Sequence, residues 1–181
     1  NAKPKDLVAF DTGPGNMLID GAMNKLYNLT FDECGTIASS GIVSNKLLEF
    51  LLEDDYYNLP YPKATGREKY TNLYLDKIIE VARSLHLENK DIIATLSYLT
   101  SYVVKYQIKK FFKDFKGKLL VSGGGANNKF IVDNLKDEDY EVILSEELNV
   151  GSDAKEAFAF SVLGYLRLTN QISNVKSVTG A

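Results

Sequence analysis

One histidine, His86, and one cysteine, Cys34, occur among 181 residues. The first scarcity removes Ser-His-Asp and Cys-His triads from most readings and leaves too few imidazoles for a zinc site. The second excludes an internal disulfide and any cysteine-rich metal centre. No apolar run approaches the roughly 20 residues that cross a bilayer, and no cleavable signal pattern opens the chain, so the expected compartment is the cytoplasm. Basic clusters are missing as well. The 21 lysines and arginines are interleaved with 24 acids for a net charge of −3, which argues against a nucleic-acid or anionic-membrane surface. Internal repeats and low-complexity tracts are absent. Any chemistry must rest on carboxylates, hydroxyls and backbone amides.

What is present is ordinary for a soluble globular protein: 45% hydrophobic and 25% charged residues. Residues 3–181 suffice for one domain that buries about two-thirds of its unfolded surface. Asn1-Ala2, with no initiator Met before them, read as a tag remnant, and the strand that follows almost at once suggests a cut at a domain boundary.

Leu7 to Phe10 is a short apolar run leading into Asp11-Thr12-Gly13-Pro14-Gly15-Asn16, the pattern of a buried strand entering a tight loop. Leu18, Ala22 and Leu26 then predict a helix. Thr30 and Glu33 have capping-box spacing and predict a short helix that ends by Gly41, with Cys34 in its core. Ser44 is placed to cap a helix with Leu47, Leu48, Leu51 and Leu52 on one face. Asp54 to Thr71 reads as a long functional loop. Two helices follow, the second running from about Lys90 to Lys116 and ended by Gly117. His86, near the end of the first, reads as structural. The last third alternates: a strand at Lys118–Ser122, a helix at Asn128–Leu135, a strand at Tyr140–Ser145, and a helix at Asp153–Leu168 with Ala154, Ala157, Phe158, Ser161 and Tyr165 on one face. Short strand-helix-strand spacings imply parallel pairing and an α/β class weighted toward helix.

Three segments have residue types suited to chemistry. A strand ending in Asp11 puts a carboxylate at its C-terminal edge, where ligands of open α/β sheets bind. The Gly13-Pro14-Gly15 turn and the next helix N-terminus offer amides and a dipole to a phosphate, though a plain Asp-capped turn has the same letters. Gly123-Gly124-Gly125-Ala126 would let a nucleotide lie against backbone, or would simply join strand to helix; no Gly-Lys-Ser/Thr follows, so it is not a P-loop. Lys63 and Arg67 flank Gly66 and would suit a carboxylate or phosphate, or a local salt bridge between Arg67 and Glu68. Asp153 is a natural N-cap, and Glu156 one turn on is a candidate toward a nucleotide-Mg²⁺ site.

Taken together and in order, Phe10 to Asn16, Pro62 to Glu68, Ala94-Thr95-Leu96 with Leu99-Thr100, Gly123 to Asn128, Asp153 to Phe160 and Ser177 to Ala181 resemble the C-terminal half of anhydro-N-acetylmuramic acid kinases. The resemblance implies one RNase-H-like, actin-like ATPase lobe, helix-rich with a mixed sheet and helical insertions. It implies a kinase that uses ATP and Mg²⁺ to open a 1,6-anhydro ring with water and phosphorylate O6 of the amino sugar, in cell-wall recycling. Asp11 falls on the family's catalytic base. Thr12, Gly13, Gly15 and Asn16 fall beside the phosphates, and Gly123, Gly124, Gly125 and Ala126 on the adenosine segment. A homodimer is also implied. The family's N-terminal Gly-Thr-Ser-x-Asp-Gly phosphate loop is absent from this chain, so the N-terminal lobe would be its partner and the chain alone inactive. Asn127 stands where the family usually has His, and Ala64 where it has Ser. These departures leave a kinase for another sugar, or a non-catalytic nucleotide-binding switch, as alternatives.

Overall fold

The computed structural model describes residues 7–148, 152–175 and 178, the side chains at 148 and 152–156 excepted. Helix α5 (Asn89–Phe111) is the organising element. Its residues Ile92, Ile93, Leu96, Leu99 and Val103 are all buried in the main core, because helices pack on several sides of it: α1 (Met17–Tyr27), α2 (Thr36–Ser40), α3 (Asn45–Leu52) and α6 (Lys129–Leu135). Helix α4 (Asn72–Ser84) packs against α1 and α3 and buries Leu75, Ile78 and Ala82. The crossing with α1 is close: a Cβ on Gly21 would stand 2.8 Å from the Leu75 side chain.

The caps explain where these helices begin. Ser44, Thr71 and Asn128 each accept a backbone N–H with the side chain, from Leu47, Tyr74 and Ile131 respectively. These bonds satisfy amides that have no partner inside the helix. The helices α1, α3 and α4, with Ser44 as a cap, are where the sequence places them. His86 sits just past α4 with φ 58°, where its amide hydrogen bonds to the Arg83 carbonyl.

Thr30 does not cap the short helix that follows it. Asp32 does: its two carboxylate oxygens accept from the amides of Ile37 and Ala38, both at 2.9 Å. A 3₁₀ turn at Glu33–Gly35 intervenes and delays α2 to Thr36. An amide at Asp32 would present an N–H₂ to one of those N–H groups. Asp32→Asn is therefore expected to cost about 1–2 kcal/mol, read as a lower urea midpoint.

The sheet is smaller than expected. Strand β1 (Gly117–Val121) pairs in parallel with β2 (Tyr140–Leu144), in register from Gly117 opposite Tyr140 to Val121 opposite Leu144. Among the described residues there is no third strand, so the mixed sheet is not observed. Leu7–Phe10 is not a strand, since among the described residues no strand pairs with it. It is held instead through its neighbours: Asp11 N–H donates to the Lys63 carbonyl, and the Phe10 ring lies 5.7 Å from Tyr61 and 5.5 Å from Phe111. The long helix also stops at Phe111, not Lys116. The chain turns through Asp114 at φ 62°, bringing Phe115 to 5.8 Å from Tyr140. Gly117 opens β1 and does not terminate the helix.

Helix α7 (Ser152–Leu168) is where the sequence puts it, and the face the sequence grouped together is not buried. Ala157, Phe158, Ser161 and Tyr165 are all exposed, and Ala154 lies outside the described side chains. No helix among the described residues is long and apolar enough to cross a membrane.

Candidate active site

The loop from Asp11 to Asn16 runs across the N-terminal half of the core and is fixed at several points. Gly13 is closely packed: a Cβ there would stand 3.1 Å from Val103 and 3.2 Å from Tyr57, so either side chain would have to give way. Gly15 has φ 56°, and its carbonyl accepts the Thr100 hydroxyl at 2.8 Å. Thr12, just before Gly13, is half-buried. The Tyr56 hydroxyl donates to the Asp11 carbonyl at 2.8 Å. Burial, with the nearby Asp11 and Asp54 charges, pushes the Tyr56 hydroxyl up to about 12, so it remains a donor at any physiological pH.

Asp11 itself is exposed, and one carboxylate oxygen accepts the Thr65 amide at 2.9 Å. That bond aims the group from the long loop without occupying its second oxygen. Asp11 lines a cavity of about 450 Å³ with Phe10, Lys63, Ala64 and Val178. Val178 is the one described residue of the Ser177–Ala181 terminus; the others lie outside the described residues.

Lys63 is placed differently from the expectation of a ligand-holding cation. Its side chain is buried, its ammonium donates to the Tyr56 and Tyr57 carbonyls at 2.9 and 3.4 Å, and it stands 4.7 Å from the Tyr56 ring centre. Desolvation lowers its pKa from the ordinary lysine value, and Lys110 adds to the effect. Lys63 thus tethers the Tyr56–Tyr57 turn beneath Asp11. Arg67 is exposed and makes no ion pair with Glu68. It lines a separate cavity of about 360 Å³ with Met17, Asp20 and Tyr70. The Glu156 side chain lies outside the described residues.

The two glycine motifs, 107 residues apart in sequence from Asn16 to Gly123, meet through Asn16. This residue begins α1 but makes no side-chain cap bond. Its carboxamide turns to the second motif instead, within 3.6 Å of where a Cβ on Gly124 would be and 3.5 Å of one on Gly125. Gly123 has φ 82°, Ala126 is buried, and Gly124–Asn127 forms a 3₁₀ turn leading to α6. At this junction lies a cavity of about 470 Å³, walled by Ile19 and Phe31 with Asn16, Gly124 and Asn127 around them. Its size and mixture of apolar walls and few polar groups suit a planar heterocycle carried on a sugar.

A sequence model described as anhydro-N-acetylmuramic acid kinase matches residues 2–181. The chain belongs to the anhydro-N-acetylmuramic acid kinase family. Among curated relatives bearing that name, one from Francisella tularensis subsp. novicida is 42% identical over 184 residues, covering 100% of the chain and 48% of the relative. One from Clostridioides difficile is 40% identical over 180 residues, covering 97% and 46%, and one from Haemophilus influenzae is 38% identical over 185 residues, covering 97% and 48%. The chain therefore spans about half the length of these anhydro-N-acetylmuramic acid kinases.

Several lining residues escaped sequence reasoning. Cys34, expected in the core, is exposed with φ 54° and lines the larger cavity, because the Glu33–Gly35 turn throws it outward. Phe31, Glu33 and Asp32 reach the same cavity from a segment with no motif of its own. Asp20 had a usable signal: it lies one helical turn after Asn16, on the same face of α1. It lines both the 470 Å³ cavity and the Arg67 cavity. Burial raises the Asp20 carboxyl above the usual carboxylate range. An acid with a raised folded pKa contributes stability only at low pH, lost as pH rises through that value. Asp20→Asn is accordingly expected to raise Tm slightly at pH 7, with the gain vanishing below about pH 4. A melt series against pH checks both the sign and the window.

Proposed function

We propose that this chain is the nucleotide-holding, base-bearing lobe of an ATP-dependent sugar kinase. The whole protein would open the 1,6-anhydro ring of anhydro-N-acetylmuramic acid with water and phosphorylate O6. The observation that carries the reading is the seating of Asn16 against Gly124 and Gly125 beside a nucleoside-sized cavity, with Asp11 on the same loop. We take the lobe to be the C-terminal half of an actin-like ATPase, since the family's Gly-Thr-Ser-x-Asp-Gly loop does not occur in it. The reaction would then take place in the cytoplasm, where ATP is supplied.

The residues present fit the nucleotide. Ile19 and Phe31 offer apolar faces to a base, Asn127 a carboxamide to its edge, and the glycines a bare backbone to the ribose. The amides of the Gly13–Asn16 turn and the start of α1 favour phosphates. No group of three or more acids, His or Cys among the described residues would hold a metal alone. Mg²⁺ would be carried mainly by phosphates and water, with one or two carboxylates at most; Asp20, Asp32 and Glu33 line the nucleotide cavity. ATP supplies the phosphoryl group; the chain's own part is to place it and to move one proton. The Asp11 carboxylate takes a proton from the water that adds to C1 of the sugar. The C1–O6 bond breaks, and O6 receives the phosphoryl group.

The full-length protein incubated with ATP and the 1,6-anhydro amino sugar in ¹⁸O-labelled water tests this. The expected product is heavier than the substrate by one water and one phosphoryl group, with the label at C1. ATP binding without any product would favour the non-catalytic switch; turnover of other sugars alone would favour a different substrate.

A further inference from the structure

Three buried hydroxyls meet beneath the loop that carries Asp11. Tyr57 and Tyr70 are 3% and 6% exposed, and the Thr65 hydroxyl is enclosed with theirs. None of the three oxygens has a hydrogen-bond partner at bonding distance and angle. They nevertheless face one another. Burial and the Asp54 charge push the Tyr70 hydroxyl above the ordinary tyrosine value, and the Tyr57 and Thr65 hydroxyls, directed at its oxygen, work against that rise. A buried hydroxyl left without a bond keeps its full desolvation penalty. Phenylalanine would fill either aromatic place without that penalty, so packing alone does not account for two phenols here.

The backbone links this cluster to Asp11. Thr65 gives its amide to the Asp11 carboxylate at 2.9 Å, while its hydroxyl belongs to the cluster. The loop around Thr65 is open to solvent at Ala64 and Arg67, but the two tyrosines are anchored. Tyr70 directly precedes the Thr71 cap of α4, and its own amide closes a turn on the Gly66 carbonyl at 3.2 Å. Tyr57 has its carbonyl held by Gln107 of α5 at 2.8 Å, and its ring lies against the place a Cβ on Gly13 would take. The two phenols therefore connect two helices to one loop residue, and that residue's amide is the group that aims the carboxylate.

We propose that Tyr70 is a positioning residue for Asp11: its oxygen, which also faces the Tyr57 hydroxyl, accepts the hydroxyl of Thr65 and so fixes the Thr65 amide on the Asp11 carboxylate. Hydrogen bonds that serve catalysis are often long or misaligned in the free enzyme and tighten when substrate binds. Hydroxyls that face one another without yet bonding fit that state. The role rests on Asp11 being the base, so the test includes a readout that needs no turnover.

The test uses the full-length protein carrying Tyr70→Phe, and Thr65→Val set against Thr65→Ser. Deuterium exchange at the amide of residue 65, resolved by fragmentation mass spectrometry, reads the link directly. It is expected to be about tenfold faster in Tyr70→Phe and Thr65→Val than in the wild type, and near the wild-type rate in Thr65→Ser, which keeps the hydroxyl. In the first two variants kcat should fall about tenfold, as for a misaimed base, with KM for ATP and Tm unchanged. In an Asp11→Asn background, Tyr70→Phe should lower the residual rate less than about twofold, because a residue acting through Asp11 then has little left to lose. Unchanged exchange in Tyr70→Phe would overturn the proposal. So would a rate loss of equal size in both backgrounds, which a purely structural role gives. A wild type that turns over no sugar would sink the kinase reading, and the exchange rates would still decide whether Tyr70 holds Thr65 on Asp11.

Discussion

Asp11→Asn in the full-length protein is expected to lower sugar phosphorylation by about 10²- to 10⁴-fold, the usual contribution of a positioned general base. ATP affinity should change little. The substitution isolates charge from shape. Asp11 accepts the Thr65 amide through one oxygen, and an asparagine oxygen can accept the same bond. The backbone at this residue is held independently, by its own N–H to Lys63 and by the Tyr56 hydroxyl on its carbonyl. The variant should therefore keep the wild-type Tm, which separates lost chemistry from lost fold. Wild-type turnover in the variant would remove Asp11 from the role of base. A parallel fall in kcat/KM and in Tm would make it a structural residue.

Gly35→Ala is expected to damage both stability and nucleotide binding. Gly35 has φ 71°, and a Cβ there would run into the Asn128 carboxamide oxygen and crowd the Phe130 amide at 3.0 Å. Asn128 cannot simply move aside. Its side chain is buried and caps α6 by accepting the Ile131 amide at 3.1 Å. Left-handed strain contributes about 1–2 kcal/mol, and the clash with a held cap should add about 1–3 kcal/mol. Asn128 also lines the 470 Å³ cavity beside Asn127, so ATP affinity should fall as the cap shifts. Chemical denaturation and nucleotide titration of the same protein measure the two effects. Unchanged stability would show that the Glu33–Gly35 turn relaxes freely, against the packing described.

Local rules made much of the architecture readable in the sequence. Apolar spacing located α1, α3 and α4, and Ser44 marked a helix start, because amphipathic period and capping chemistry act within a few residues. The alternation of short strands and helices after Gly117 gave the parallel pair, since a parallel connection needs a crossover. Asp11 and the two glycine segments were conspicuous for the same reason: their backbone demands are local. The tertiary structure decided what depends on distant partners. Whether Leu7–Phe10 is a strand depends on an edge to pair with, which the described residues do not provide. The side of α7 that would be buried depends on what packs against it. Lys63 looked like a ligand cation until the fold placed two carbonyls and a tyrosine ring around its ammonium. Cys34 and Phe31 carry no sequence signal for the cavity they line, because a cavity is made by segments far apart in the chain. The meeting of Asn16 with Gly124 and Gly125 is of the same kind. The composition of each motif is written in its own residues; that the two meet is fixed only by the packing of α1, α5 and α6, which sets how closely their loops approach.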